Sequence, residues 1–432
     1  MLSSISTALS ALQADSTAID VTGNNLANLN TTGFKTTEVQ FADLMSQSLG
    51  LGGTSAQLGL GVGPIQTSTV YSQGVLTSST GLLDSAISGN GFFVVQDGSS
   101  GQTLYTRDGS FQLDTSGNLI TSTGQYVQGW NATNGVVDTS GAVGDITVPT
   151  GSESAAKATT TMDVLANLNA DGTVGATDGS FSTPIQVYDS LGAAHTLTVS
   201  FTKTAANTWT YNVTIPAADL TSGAGSTTPT SLATGTLSFD GNGNLTSPAP
   251  PSTSGGTTTA ATPVSVAITG LADGATDQTI SWNLFSNNGT GTQDITQYAE
   301  TSAESKTTQD GYAAGQITEI QMETGGTLVA TYSNGKTATV GQLAVASISN
   351  PGSLVSVGDN NLAATAASAA PVIGAANTGG RGQIEASELE ASTVDMATEF
   401  TNLLAYERSY QAASKVVTTG DEMEQETLAL IK

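Results

Sequence analysis

The 432-residue chain has no cysteine and a single histidine, His195. Disulfides, thiolate metal sites and cysteine nucleophiles are therefore excluded, and with them poly-histidine metal centres and most Ser-His relays. Bases are scarce: 10 Lys and Arg stand against 36 Asp and Glu, a formal net charge of −26. Binding nucleic acid requires clustered Lys and Arg to neutralise phosphates, so no nucleic-acid partner is expected. No run approaches the roughly 20 consecutive apolar residues of a membrane helix, and no membrane insertion is expected. The first lysine is Lys35, and residues 1–13 are amphipathic. A secretory signal has a basic start and a uniformly apolar core, so export is expected to proceed without a cleaved signal.

Charged residues make up only 11% of the chain, and there are 50 glycines. A neutral, polar Ala/Ser/Thr/Gly/Asn/Gln surface suits export and broad interaction surfaces better than a metabolic enzyme. The length allows two to four domains at about 100–200 residues each.

The two ends read as helix and the middle as strand. Leu2, Ile5, Leu9, Leu12, Ile19 and Leu26 recur in steps of three and four once Ser16 and Gly23 join the stripe. That is the narrow a/d seam of a coiled coil. From Val394 to Ile431 a second helical stripe carries Phe400, Leu403, Leu404, Tyr410, Ala413, Val416, Val417, Met423, Leu428 and Ile431. Asp395 and Glu399 lie in its first turns, where carboxylates suit the helix dipole. Ser and Thr are frequent in both segments, so neither is a secure helix without packing. The seams are expected to pair with each other and with those of other copies.

Between the ends, Leu197, Val199 and Phe201 alternate with polar residues, and Trp209, Tyr211, Val213 and Ile215 do so again after a polar turn: a hairpin with one buried face. Similar alternation marks Val264 to Ile268, Ile280 to Leu284 and Leu328 to Tyr332. Residues 221–230 and 248–259 read as surface loops, and 36–62 as a flexible connector. The fold class is thus multidomain and mainly β, with two sandwich- or barrel-like domains inserted between N- and C-terminal α-helices that pair as a coiled coil. The expected division is a helical domain from 1–30 plus 385–432, a connecting segment at 31–75, an inner β domain from 76–150 plus 300–384, and an outer β domain at 151–299.

Candidate chemical sites fall away one by one. Gly59-Leu60-Gly61-Val62-Gly63-Pro64 lacks the Gly-Lys-Ser/Thr end of a phosphate loop. Asp240-Gly241-Asn242-Gly243-Asn244 opens like a calcium loop but has Pro251 where the bidentate Glu belongs, and reads as a hairpin turn. Asp189, Ser190 and His195 are neighbours in sequence, whereas a triad is defined by converging geometry. Asp421, Glu422, Glu424 and Glu426 read as the solvated face of the last helix. No catalytic residue, metal or cofactor is expected.

Two terminal motifs are more specific. Asn24-Asn25-Leu26-Ala27-Asn28, then Thr32-Gly33-Phe34-Lys35 and Phe41-Ala42-Asp43, resembles the N-terminal signature of the bacterial flagellar axial proteins of the rod and hook. Leu389-Glu390 through Val394-Asp395-Met396, continuing to Arg408-Ser409-Tyr410, resembles the matching C-terminal signature, with Glu407 where that family more often has Gln before the Arg. Val187 to Gly192 with His195, Asp310 to Gly315 and Tyr332 to Gly335 are similar to the hook members. Leu83 to Phe93 and Tyr105 to Gly109 are shared with rod members.

The resemblance implies a homo-polymeric structural subunit of the hook, a curved tube that carries motor torque from rod to filament as a universal joint. Its implied partners are the flagellar rod, the hook cap, the hook-filament junction proteins and the flagellar type III export apparatus. The implied location is the extracellular hook and basal body. A distal rod protein is the nearest alternative, although rod members are usually shorter than a chain with the 151–299 insertion. A secreted β-rich adhesin would leave the paired helical ends unexplained, and a polysaccharide-acting enzyme would need a converging carboxylate pair.

Overall fold

A computed structural model describes residues 2–44, 47–49, 56–149, 151, 153–250, 252–254, 257–259, 261–285 and 293–430. The chain divides into two compact units: Met1–Thr150 with Thr318–Thr331 and Thr337–Lys432, and Gly151–Ile317 with Tyr332–Lys336.

The first unit opens with helix α1, Leu2–Ala27, and ends with helix α2, Met396–Leu430. Asn28 closes α1, its side-chain amide donating to the Asn24 carbonyl at 2.9 Å. The left-handed residue comes five positions later, at Gly33 (φ 68°). Asp395 caps α2, its carboxylate accepting from the Thr398 N–H at 2.7 Å. Many helical threonines donate back to their own helix, as Thr17, Thr401, Thr419 and Thr427 do to the carbonyl four residues earlier. These bonds satisfy the hydroxyls locally without adding to helix stability.

The helices run antiparallel: Asn25 meets Glu399 near one end, and a Cβ on Gly420 would lie 3.1 Å from Ile5 near the other. The buried face of α1 carries Ala8, Ala14, Asp15, Ala18, Thr22 and Asn25. It lies one residue, about 100° around the helix, from the expected seam. The inward stripe of α2 runs through Glu399, Leu403, Tyr406, Ala413, Val417 and Gly420. The helices pair as expected, through part of the expected stripe (Ile5, Leu403 and Val417) together with small and polar residues beside it. Ala8, Ala18, Ala413 and Gly420 let the backbones approach along this contact.

The β part of this unit contains a sheet with neighbouring strands Thr327–Tyr332, Thr337–Leu343, Tyr126–Thr133, Phe92–Gln96, Thr103–Thr106, Asn361–Ala363 and Val355–Gly358. Phe92, Val94, Tyr105, Trp130, Ala344, Ala346 and Leu354 form a buried cluster within it. Short pairs join the chain's beginning to its end: Ser85–Ser88 with Gln383–Ala386, and Leu76–Ser78 with Glu388–Glu390.

The second unit is a β-sandwich. One sheet is the antiparallel series Ser180–Tyr188, Ala194–Ala205, Thr208–Ile215, Thr230–Phe239 and Leu245–Ser247. It contains the expected hairpin, with Leu197, Val199, Phe201, Trp209, Val213 and Ile215 wholly buried. The other sheet is centred on Thr161–Asn169. Both share one core, in which Phe201 and Tyr211 meet Trp282 edge-on at 6.1 and 5.3 Å.

Four expectations need correction. The insertion does not end at 299: Ala303–Gln309 pairs antiparallel along Thr161–Asn169, which carries the second unit to Ile317. That strand has few apolar residues and shows no period-two signal. The connector at 31–75 contains Thr37–Gln40 paired with Gln66–Thr69, and the short ribbon Gln47–Leu49 with Ala56–Leu58. The 248–259 run likewise holds the pair Ser252–Ser254 and Thr257–Thr259. The C-terminal helical segment starts at Met396, since the strands Gln383–Ala386 and Glu388–Glu390 occupy the stretch before it.

Candidate assembly site

Lys35 and Glu390 lie 355 positions apart in sequence. Folding brings them together because Leu76–Ser78 pairs with Glu388–Glu390 and the turn at Gly33 returns the chain toward that ribbon, Gly33 N–H donating to the Glu390 carbonyl at 2.7 Å. The Glu390 carboxylate is fully buried. Its Oε1 accepts from Lys35 Nζ at 2.6 Å and from Gly74 N–H at 2.7 Å, and its Oε2 from Arg107 Nη1 at 3.1 Å. Lys35 also donates to the Ser72 carbonyl at 2.6 Å, and Arg107 to that of Gly89 at 2.8 Å. Burial lowers the Lys35 pKa although Glu390 opposes it, and burial likewise lowers that of Arg107. Only glycine fits at 33: beyond its positive φ, a Cβ would lie 2.6 Å from the Arg107 carbonyl carbon.

A second buried contact ties α1 to α2. Asn25 Nδ2 donates to Glu399 Oε1 at 3.1 Å and to the Thr37 carbonyl at 2.9 Å, while its Oδ1 accepts from Thr37 N–H at 3.1 Å. Burial raises the Glu399 pKa, the Asn25 hydrogen bond opposes this, and the charges of Glu38 and Asp395 add to the rise. Thr393 Oγ1 accepts from Thr36 N–H at 2.9 Å, and Thr393 N–H donates to the Phe34 carbonyl at 3.1 Å.

Most signature residues therefore serve one junction. Asn24 takes the Asn28 amide, Thr32 receives the Asn360 side chain at 2.6 Å, and the Leu389 carbonyl accepts from Thr77 at 3.2 Å. Val394 is buried, Asp395 caps α2, Phe41 meets the Tyr406 ring at 5.9 Å, and Asp43 bridges to Val62. Ala27 merely ends α1 and is exposed. Arg408 and Tyr410 are exposed and lie outside the junction.

The seam residues divide. Leu403 and Val417 are half-buried on the inward stripe of α2, and Ile5, Leu12, Ile19 and Leu26 are half-buried along α1. Leu9, Phe400 and Leu404 are 52%, 50% and 54% exposed. They do not lie between the paired helices of one copy, which leaves contact with other copies as their expected place in the seam. The side chain of Leu2 lies outside the described residues. Sequence reasoning missed Arg107 as a partner of Glu390 and Glu399 as a partner of Asn25. The available signal was charge inside short apolar motifs of a chain with few charges.

The second unit holds one further polar cluster. His195 Nε2 lies 3.1 Å from Asp189 Oδ2 and 3.5 Å from Asp273 Oδ2, and Nδ1 lies 3.1 Å from Asp219 Oδ2. Ser190 Oγ accepts from Thr276 N–H, and both His195 ring nitrogens face carboxylates rather than that hydroxyl. Asp189, His195 and Asp273 form the one group of three potential metal ligands among the described residues. The spacing is that of an imidazolium shared by carboxylates. Burial alone would lower the His195 pKa, but the hydrogen bonds and charges of Asp189 and Asp219 outweigh it and raise the pKa.

A chain whose ends form an antiparallel helix pair, locked by buried ion pairs to a β body, has the construction of an axial structural subunit. Family models match it in succession: Flagella basal body rod protein at 5–35, Flagellar hook protein FlgE/F/G D1 domain at 86–176, Flagellar basal body protein FlaE D2 domain at 156–312, and Flagellar basal body rod FlgEFG protein C-terminal at 386–430. The flagellar hook protein FlgE of Borreliella burgdorferi is 32% identical over 453 residues, with 100% of both chains covered. That of Salmonella typhimurium is 35% identical over 436 residues, covering 97% of this chain and 98% of its own. A solved structure of Helicobacter pylori flagellar hook protein FlgE2 covers 73% of this chain at 14% identity, with a TM-score of 0.49, too loose a likeness to carry an argument. The chain belongs to the flagellar hook protein FlgE family.

Two outcomes follow. Glu390→Gln leaves two buried cations without a counter-charge and should cost about 3–5 kcal/mol in denaturant unfolding of the first unit; a loss below about 1 kcal/mol contradicts this account of the junction. A raised folded-state His195 pKa adds stability that is complete below its unfolded value, about 6.5, and is lost as pH rises through the folded value. Melting of the second unit should fall across that window, and His195→Asn should flatten the dependence.

Proposed function

We propose that this hook subunit polymerises through its terminal helices into a curved tube that passes motor torque from rod to filament as a universal joint. The observation that carries the reading is the outward row of bulky apolar residues on the helix pair. Leu9, Met396, Phe400 and Leu404 are each about half exposed, while alanines fill the intrachain contact. Within one copy that surface stays wet, and burial against neighbours would stabilise assembly at roughly 25 cal/mol per Å². A heterologous contact whose rotation does not close into a ring builds an open helical polymer. Outside the helices, Ser, Thr, Asn and Gln offer hydrogen bonds worth about 0.5–1.5 kcal/mol net each, weak enough to exchange with water as the joint bends.

We assign the helices and adjoining strands to the tube's inner part and the Gly151–Ile317 unit to its outer part. Further partners follow from a place in the axial series: the rod below, the cap and junction proteins above, and the export apparatus before assembly. Family models for both rod and hook domains support that series. The match to the D2 domain at 156–312 favours the hook over a distal rod protein. No catalytic role is assigned.

In isolation the helices hold together through small residues and polar contacts, too little apolar burial for secure order. Amide exchange on the monomer should therefore be fast over 1–30 and 396–432 and slow in both β units; strong protection of both helices contradicts this. Leu9→Asp should leave the β units folded, as judged by their melting, and abolish tubes under the electron microscope. Normal tubes from that variant would remove Leu9 from the seam.

A further inference from the structure

A groove of about 350 Å³ opens between α1, α2 and the residues Phe41 and Val62, with Ala11, Ala14, Ala405 and Tyr406 among its other walls. Asp15 lines it too, yet is only 5% exposed, and its Oδ2 has no hydrogen-bond partner. A buried carboxylate without a donor or counter-charge is costly, and a cavity beside it leaves room for the missing partner.

The chain has few groups that could fill it. Helix α1 contains no Lys or Arg. The bases of α2 are Arg408 and Lys415, both exposed and neither in an ion pair among the described residues. They are seven residues apart and so share one face. Arg408 is two positions, about 200° around the helix, from Tyr406 in the groove wall, and thus points away from its own groove. An acid buried on one side of the helix pair and a base exposed on the other cannot meet within one copy. They can meet between copies, and in the polymer such a contact runs head-to-tail from one subunit to the next.

Resting on the polymer reading above, we infer that the Asp15 groove of each subunit receives the Arg408 guanidinium of a neighbouring copy. The planar guanidinium is weakly hydrated, keeps its charge when buried and can bind a carboxylate with two hydrogen bonds, which suits this groove better than the compact Lys415 ammonium. Asp15 thereby adds a register mark to an otherwise apolar seam.

The test is salt-induced polymerisation of the full chain, with melting of the β units confirming that each variant is folded. Asp15→Asn and Arg408→Gln should each raise the critical concentration about tenfold, and Lys415→Gln should not. Asp15→Arg and Arg408→Asp should each block assembly alone, while the two together should restore it to within about threefold of the parent. Parent-like assembly by Arg408→Gln, a greater loss from Lys415→Gln, or a swapped pair no better than its worse member overturns the contact. A parent chain that forms no tubes overturns the polymer reading instead.

Discussion

The carboxylate of Glu390 accepts from Lys35, Arg107 and the Gly74 backbone in a site closed to water. Those donors come from three separate stretches of sequence, and Glu390 itself sits six residues before α2. Burying two cations with one anion is stabilising only when geometry and hydrogen bonds are satisfied, so the site tolerates few alternatives. It therefore fixes where the chain leaves α1 and where it enters α2. Asn25 and Thr393 continue the same junction toward the helices. A subunit that carries torque needs such a joint, because force on the helices must reach the β body through something stiff.

Above that joint the helix pair separates two tasks by side-chain size. Alanine, threonine and glycine fill much of the intrachain contact beside Leu403 and Tyr406, while Leu9, Met396, Phe400 and Leu404 face outward. A monomer built this way is marginal at its ends, and a polymer built from it gains the apolar burial that the monomer lacks. The net charge of −26 works against crowding, and a chain with so few bases has little room for counter-charges. Four of the ten bases are placed narrowly: Lys35 and Arg107 at the junction, Arg408 and Lys415 on the outer face of α2.

Much of this was legible in the sequence. Period-two alternation from Leu197 to Ile215 reported the sandwich hairpin, and the terminal heptads reported two helices. The stripe on α1 was also real, but hydrophobicity alone could not say which partner it faced. Its bulky members lie 100° from the intrachain contact, which small residues form without any apolar signature. The strand Ala303–Gln309 gave no signal because it is polar and owes its place to pairing with Thr161–Asn169. The Glu390 junction was visible only as motif letters, since its partners lie 283 and 355 positions away along the chain.

The central claim is that the outward row of apolar residues on the helix pair is the seam between copies. Electron cryomicroscopy of the assembled polymer, at a resolution that shows side chains, tests it most directly. The account predicts a tube in which Leu9, Phe400 and Leu404 are buried against neighbouring helices while Ala8, Ala18 and Ala413 remain within each copy's own pair. A tube in which those three bulky residues line the open channel or stay in solvent, with copies joined through the β units alone, would contradict it.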